Sequence, residues 1–308
     1  MTPQGRKIAI VGASGQVGAP MLKALLAQGV HTITAIQRLE ATSIFPEGVN
    51  VKVGDLQDED FLAGVLRGQD VLVLMPPLPQ ILSVQEPAIR AAAKVGVPYI
   101  FPSEFGPDPF ATQLGEENIL LRTKKQVRDL IEQLGVSSWV SVVVGPWLDV
   151  NLDTGLWGID AKARKATLWS GAGAKTNTAT VTYAGQATAA VLGLQDADLA
   201  RYKNSAVYTS TFRLTQREIL DAVQRTTGTT DADWDLTSRN VDDIAQEYEE
   251  KIQQGDEIAP YVKFFVTHFL EGHGGDFDYK VDAAEVKKLE ELGLKKENLE
   301  EVIRAKLQ

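Results

Sequence analysis

The chain contains no cysteine. Disulfides, thiolate metal sites and cysteine nucleophiles are therefore excluded. Histidine is scarce: His31, His268 and His273 are the only three, too scattered in sequence to suggest a zinc cluster. No apolar run approaches the roughly 18–20 residues that a bilayer span requires. The opening "MTPQGRKIAIVGA" runs directly into a strand pattern, without the apolar core and cleavage site of a secretory leader. Positive charge is also in deficit, with 31 Lys and Arg against 41 Asp and Glu, a formal net charge of −10. Such a surface repels nucleic acid and anionic lipid, so neither is expected as a partner. A cytoplasmic monomer or homodimer is the expectation. An anionic ligand must be held by specific local donors, because the overall field opposes it.

What is present is a regular alternation. "KIAIVGA", "TITAIQ", "VNVKVG", "DVLVLM", "VPYIFP" and "WVSVVV" read as strands rich in β-branched residues. Helical patterns separate several of them, and short apolar strands alternating with helices predict an α/β fold. The expected architecture is a Rossmann-type, doubly wound parallel sheet whose strands are buried on both faces. The regularity fades near residue 150. Residues 1–154 are expected to form the dinucleotide-binding domain and residues 155–308 a smaller, helix-rich substrate-binding part. The boundary is soft, and 180–210 are expected as a return onto the first sheet.

"IAIVGASGQVGAPMLKALLAQG" places Gly12, Gly15 and Gly18 between the first strand and the first helix. In such a loop one glycine permits the tight turn and one allows the backbone to approach a pyrophosphate. The third lets helix and sheet pack closely. The helix N-terminus then offers N–H donors and a partial positive charge. Ser14, Gln16 and Val17, which complete the loop, are assigned to the same cofactor site. The second strand ends in Gln37 and Arg38 with no acid at its tip. A guanidinium matches a ribose 2′-phosphate, so NADPH rather than NADH is expected. Glu40 is the competing residue, and a plain surface arginine is the structural alternative.

Taken together, the glycine loop, the "QR" pair, "GDLQDEDFL", "FPSEFGPDP" and "KKQVRDLIEQLG" resemble the isoflavone-reductase-like subfamily of the NmrA-like family. These are atypical short-chain dehydrogenases/reductases, and fungal relatives share the same blocks. The resemblance covers most of the first 150 residues and continues weakly at "VTHFLEGHGGDFDY". It implies an NADPH-dependent reductase acting on a small aromatic, phenolic substrate. It also implies a catalytic lysine in place of the usual tyrosine, and no Tyr-x-x-x-Lys occurs in this chain. The family's lysine precedes a Val-Arg pair by three residues, which here makes it Lys124. The family arginine near the cofactor corresponds to Arg128. Other members of the family bind the dinucleotide without turnover and report redox state to a partner, which is the alternative function.

Helical geometry gives an independent view of Lys124. At about 100° per residue, Leu120, Val127, Leu130, Ile131 and Leu134 form one apolar stripe. Lys124 then lies roughly 20° beyond its edge and Lys125 about 120° away. Lys124 is expected at the border of the buried face and Lys125 in solvent. An amphipathic lysine covering the core edge is the bland alternative. Pro76 and Pro77 follow the fourth strand on the carboxyl edge of the sheet, near the expected cofactor. Ser103 and Phe105 follow the fifth strand on that edge and are assigned to the nicotinamide pocket. Trp147, after the sixth strand, is either a pocket face or a core residue. His268 matches the family's late histidine, as a contact to a substrate hydroxyl or as a satisfied structural residue.

Overall fold

In the computed structural model, which describes residues 1–307, β1 (Lys7–Val11) is buried at every position after Lys7. That is what a β-branched apolar run produces when helices cover both faces of the sheet. Next come α1 (Gly18–Gln28), β2 (Thr32–Gln37), β3 (Val49–Val53), α2 (Glu59–Leu66) and β4 (Val71–Leu74). α3 (Ile81–Val95), β5 (Tyr99–Phe101), α4 (Thr112–Glu117), α5 (Ile119–Leu134) and β6 (Ser138–Val143) complete the first half. Aspartate 58 starts α2 in the expected manner, its carboxylate accepting from the N–H groups of Asp60 and Phe61.

The second half begins with α6 (Leu148–Thr154), β7 (Ile159–Asp160), β8 (Lys165–Ser170) and β9 (Thr176–Thr178). α7 (Val181–Leu192), α8 (Asp196–Leu199), β10 (Ser205–Tyr208) and β11 (Phe212–Leu214) follow. The chain ends with α9 (Gln216–Thr227), β12 (Asp235–Asn240), α10 (Val241–Gln253), α11 (Ala259–Thr267), α12 (Ala283–Glu291) and α13 (Leu299–Leu307).

Seven strands form one parallel sheet in the order β3-β2-β1-β4-β5-β6-β10. The connectivity reverses between β1 and β4, where the loops leaving the two strands diverge and open a crevice at their carboxyl ends. One face is covered by α1 and α7, the other by α2, α3 and α5. α7 lies so close to α1 that a Cβ on Gly185 would stand 2.6 Å from the Met21 nitrogen. Residues 181–208 thus add a helix and an edge strand to the first sheet.

The rest of the second half builds its own core around Trp157, Trp169 and Phe269, whose rings meet edge-on at 5.6 Å. Two small sheets, β12-β8-β7 and β11-β9, accompany its helices. β12 and β9 carry no apolar alternation. β9 is the buried triplet Thr176, Asn177 and Thr178, held partly by Asn177 Oδ1 accepting from the Phe277 N–H at 2.8 Å. Among the described residues, no helix is long and apolar enough to cross a membrane. None of their His, Asp and Glu side chains gather in threes as a metal site.

Candidate active site

The loop from β1 to α1 fixes the floor of a cleft of about 490 Å³ at the switch point. Gly12 has φ 87°, and a Cβ there would fall 2.3 Å from the Met75 carbonyl oxygen. A Cβ on Gly18 would fall 2.1 Å from the Gly12 oxygen. Both positions are closed to any side chain. Gly15 differs: its Cβ would meet a single protein atom, the Gly12 oxygen, at 3.1 Å. Its absence therefore leaves room in the cleft itself.

Ser14, Gln16 and Val17 line the same floor. The N-terminus of α1 has no side-chain cap and no acid in its first turn, so no carboxylate offsets its dipole beside the cleft; the Ala19 N–H is bonded to the Gly15 carbonyl at 2.9 Å. Loop and helix together suit a pyrophosphate. Arg38 stands exposed at the end of β2 and has no ion-pair partner among the described residues. It borders both the cleft and an adjoining pocket of about 240 Å³. Glu40 and Asp55 face only that adjoining pocket. Pro76, Pro77, Ser103, Phe105 and Trp147 also line the cleft. The Trp147 indole is pinned by its N–H donating to the Phe105 carbonyl at 2.9 Å. The Ser103 N–H is held by Gln85 Oε1 at 2.9 Å.

Lys124 is 7% exposed. The buried residues of α5 are Leu121, Lys124, Val127, Arg128 and Ile131. At about 100° per residue they span an arc of roughly 120°, with Lys124 at its middle. This corrects the border position expected from sequence. Leu120 and Leu130 are only half-buried, and the helix is turned to bring both Lys124 and Arg128 inward. Lys125 points to solvent and pairs with Asp129 at 2.7 Å.

Burial lowers the Lys124 pKa from its ordinary value; Glu104 opposes that change and Arg128 adds to it. Arg128 does not face the cleft. Its guanidinium pairs with the Glu104 carboxylate, donates to the Pro109 carbonyl at 3.3 Å and lies 5.5 Å from the Trp139 ring. Lys124 is likewise absent from the cleft lining. It is linked to the cleft through Glu104, which sits between the cleft residues Ser103 and Phe105.

His268, just beyond α11, is 1% exposed and electrostatically coupled to Lys124. Its Nδ1 lies 2.6 Å from the Phe264 carbonyl, which requires a proton on Nδ1. Burial pushes its pKa down to about 4, so the ring is neutral near pH 7. Nε2 is then a bare acceptor, buried and without a partner. Asn118 is a residue the sequence reading missed. It is 3% exposed, and its Nδ2 donates to the Leu114 carbonyl at 2.8 Å and Thr267 Oγ1 at 3.2 Å. Its Oδ1 is buried without a partner. The one sequence signal is an Asn directly ahead of a helix, which reads as an N-cap, yet its side chain does not cap α5.

The NmrA-like family model matches residues 4–303. The chain belongs to the NmrA-like family. Among its relatives, the oxidoreductase aprR of Aspergillus flavus is 28% identical over 306 residues, covering 96% of this chain and 97% of that one. Isoeugenol synthase 1 of Petunia hybrida is 30% identical over 148 residues, 44% of this chain and 46% of that one. The fold is shared with AtPrR2 solved with NADP+ and (+)pinoresinol, at TM-score 0.76 and 20% identity, covering 98% and 99% of the two chains. It is also shared with isoflavone reductase, at TM-score 0.75, 20% identity and the same coverage. This NmrA-like chain therefore keeps the family's architecture along nearly its whole length.

Proposed function

We propose that the protein is an NADPH-dependent reductase of a small hydroxy-aromatic substrate, with Lys124 as the proton carrier. The observation that carries the reading is a buried lysine without an ion-pair partner among the described residues. It lies close to a neutral histidine whose Nε2 has no partner. The names of its relatives point the same way: a full-length relative is called an oxidoreductase, and similarly folded proteins were solved with NADP+ or NADPH. In this reading Gly12, Ser14, Gly15, Gln16, Val17 and Gly18 hold the pyrophosphate, and Arg38 takes the 2′-phosphate. Pro76 and Pro77 flank the ribose, and Ser103, Phe105 and Trp147 wall the nicotinamide. Bound NADPH supplies a hydride. As a consumer of NADPH, the protein is placed in the cytoplasm in this reading.

The chain's own groups handle the proton. His268 Nε2 can only accept, so the substrate must bring a donor, and an aromatic hydroxyl is such a group. On a para-hydroxybenzylic ether Lys124 would take the hydroxyl proton as the benzylic C–O bond breaks, which leaves a quinone-methide-like carbon able to accept hydride. Lys124 would hand that proton to the departing oxygen, and the ring oxygen regains a proton from solvent. A lysine with a lowered pKa can do both near neutral pH, whereas one near 10.4 cannot give up its proton readily. The test mixes the protein with NADPH and a panel of hydroxy-aromatic ethers, enones and aldehydes, each beside its O-methylated counterpart. Nicotinamide absorbance reports turnover. Oxidation is expected with free hydroxyls and not with the O-methyl compounds. Tight NADP binding with no turnover across the panel would replace the enzyme by a redox sensor.

A further inference from the structure

We infer that Glu104 is a positioning residue for this reaction: paired with Arg128 behind the cleft wall, its carboxylate is the internal counter-charge that lets Lys124 carry a proton out of water. The inference rests on the reading of Lys124 as proton carrier. Glu104 is 2% exposed, and Arg128 is its only ion-pair partner among the described residues. A buried carboxylate is retained only where it is paired and hydrogen-bonded. At Lys124 the carboxylate of this pair acts more strongly than the guanidinium, so the two do not cancel there.

The charged and titratable groups facing Lys124 come from three elements. Arg128 lies one turn along α5, Glu104 comes from the loop after β5, and His268 from beyond α11. His268 is neutral near pH 7 and contributes no charge there. Only Glu104 favours the protonated lysine, while burial and Arg128 oppose it. Without Glu104, Arg128 would be an uncompensated cation one turn from Lys124, and the lysine would stay neutral. The placement of Glu104 serves a second end. Its neighbours Ser103 and Phe105 face the cleft, so one loop sets both the cleft wall and the charge behind it. The sequence block "PSEFG" is thus read as wall, counter-charge and wall.

The test is an NMR titration of the full-length protein labelled with 13Cε-lysine, with the Lys124 resonance assigned by its loss in Lys124→Met. Glu104→Gln is expected to move the Lys124 titration down by about one pH unit or more. The lysine limb of the turnover profile should move by the same amount, with NADPH affinity unchanged. A merely structural role would leave the titration in place. Should Glu104→Gln fail to fold, the double variant Glu104→Gln/Arg128→Met removes both buried charges. It is expected to lower the titration by less, because the opposing cation is gone too. A Lys124 titration that does not move in a folded Glu104→Gln or double variant overturns the counter-charge. A titration that moves without the rate profile removes Lys124 from the reaction, and the role of Glu104 with it.

Discussion

Replacing Lys124 with methionine should give a protein that is more stable and without turnover. Lys124 is 7% exposed and has no ion-pair partner among the described residues, so its ammonium is desolvated with little return. Burying the ammonium costs the fold, and Glu104 returns only part of that cost, so removing the charge should matter more than a surface substitution, which stays within about 0.5 kcal/mol. Methionine fills the same space with an unbranched apolar chain. The sign of the pH dependence follows from linkage. The folded-state pKa lies below the ordinary 10.5, so the unfolded chain binds the extra proton between the two values. Wild-type stability therefore rises with pH across that window, and the advantage of Lys124→Met shrinks there.

Urea unfolding of both proteins, without cofactor, from about pH 6 to about pH 10 measures this, and the difference between them cancels every unaffected group. The gap should be widest below the depressed pKa and close toward 10.5. Turnover should fall by at least about a hundredfold. A variant less stable than wild type, or a gap that ignores pH, would refute the argument that the lysine is buried as an unpaired base.

Two further outcomes are expected. Arg38→Ala should weaken NADPH binding by about tenfold or more while leaving NADH affinity unchanged, because only the 2′-phosphate loses its charged donors; equal losses by calorimetry would remove Arg38 from that role. Glu297 and Asp149 are partly buried carboxylates at the N-terminus of α7; burial raises both pKa values, and the charge of Asp149 raises that of Glu297 further. A raised folded pKa gives a stability contribution that is complete below the ordinary 4.5 of a glutamate and is lost as pH rises through the folded value. Glu297→Gln keeps an acceptor for the Thr180 hydroxyl and should therefore stabilise by about 1 kcal/mol at pH 8 and not at pH 4. Thermal melts that run parallel at the two pH values would count against it.

Five of the first six strands were legible because parallel strands covered on both faces are mostly apolar, whereas β3, an edge strand exposed from Asn50 to Val53, was legible from its alternating valines. β12 was not, since "DLTSRN" is mostly exposed and owes its extended form to pairing with β8 in register from Asp235↔Lys165. β9 was hidden for the opposite reason: its three polar residues are buried and satisfied by partners distant in sequence. The rotation of α5 has the same origin. Hydrophobic periodicity assigns arginine to solvent, but Arg128 meets a carboxylate arriving from 24 residues earlier and is drawn inward. The helix turns with it, and Lys124 moves from the border of the buried face to its centre.

The two halves of the site are therefore encoded differently. The proposed dinucleotide side is local: three glycines and an uncapped helix would act through backbone geometry and one arginine through its guanidinium, all between Gly12 and Arg38, which a motif can capture. The proposed proton side draws on Glu104, Lys124 and His268, which share no local pattern. Its properties arise only on packing. The tautomer of His268 is set by the Phe264 carbonyl, and its neutrality by burial. The charge on Lys124 is set by burial and by a pair on two other segments. In the proposed reaction a ligand hydroxyl would meet an acceptor with no other partner and an amine that burial leaves unprotonated more readily than a lysine in water. Both conditions make a proton acceptor available, and neither can be met by a lysine and histidine left in water.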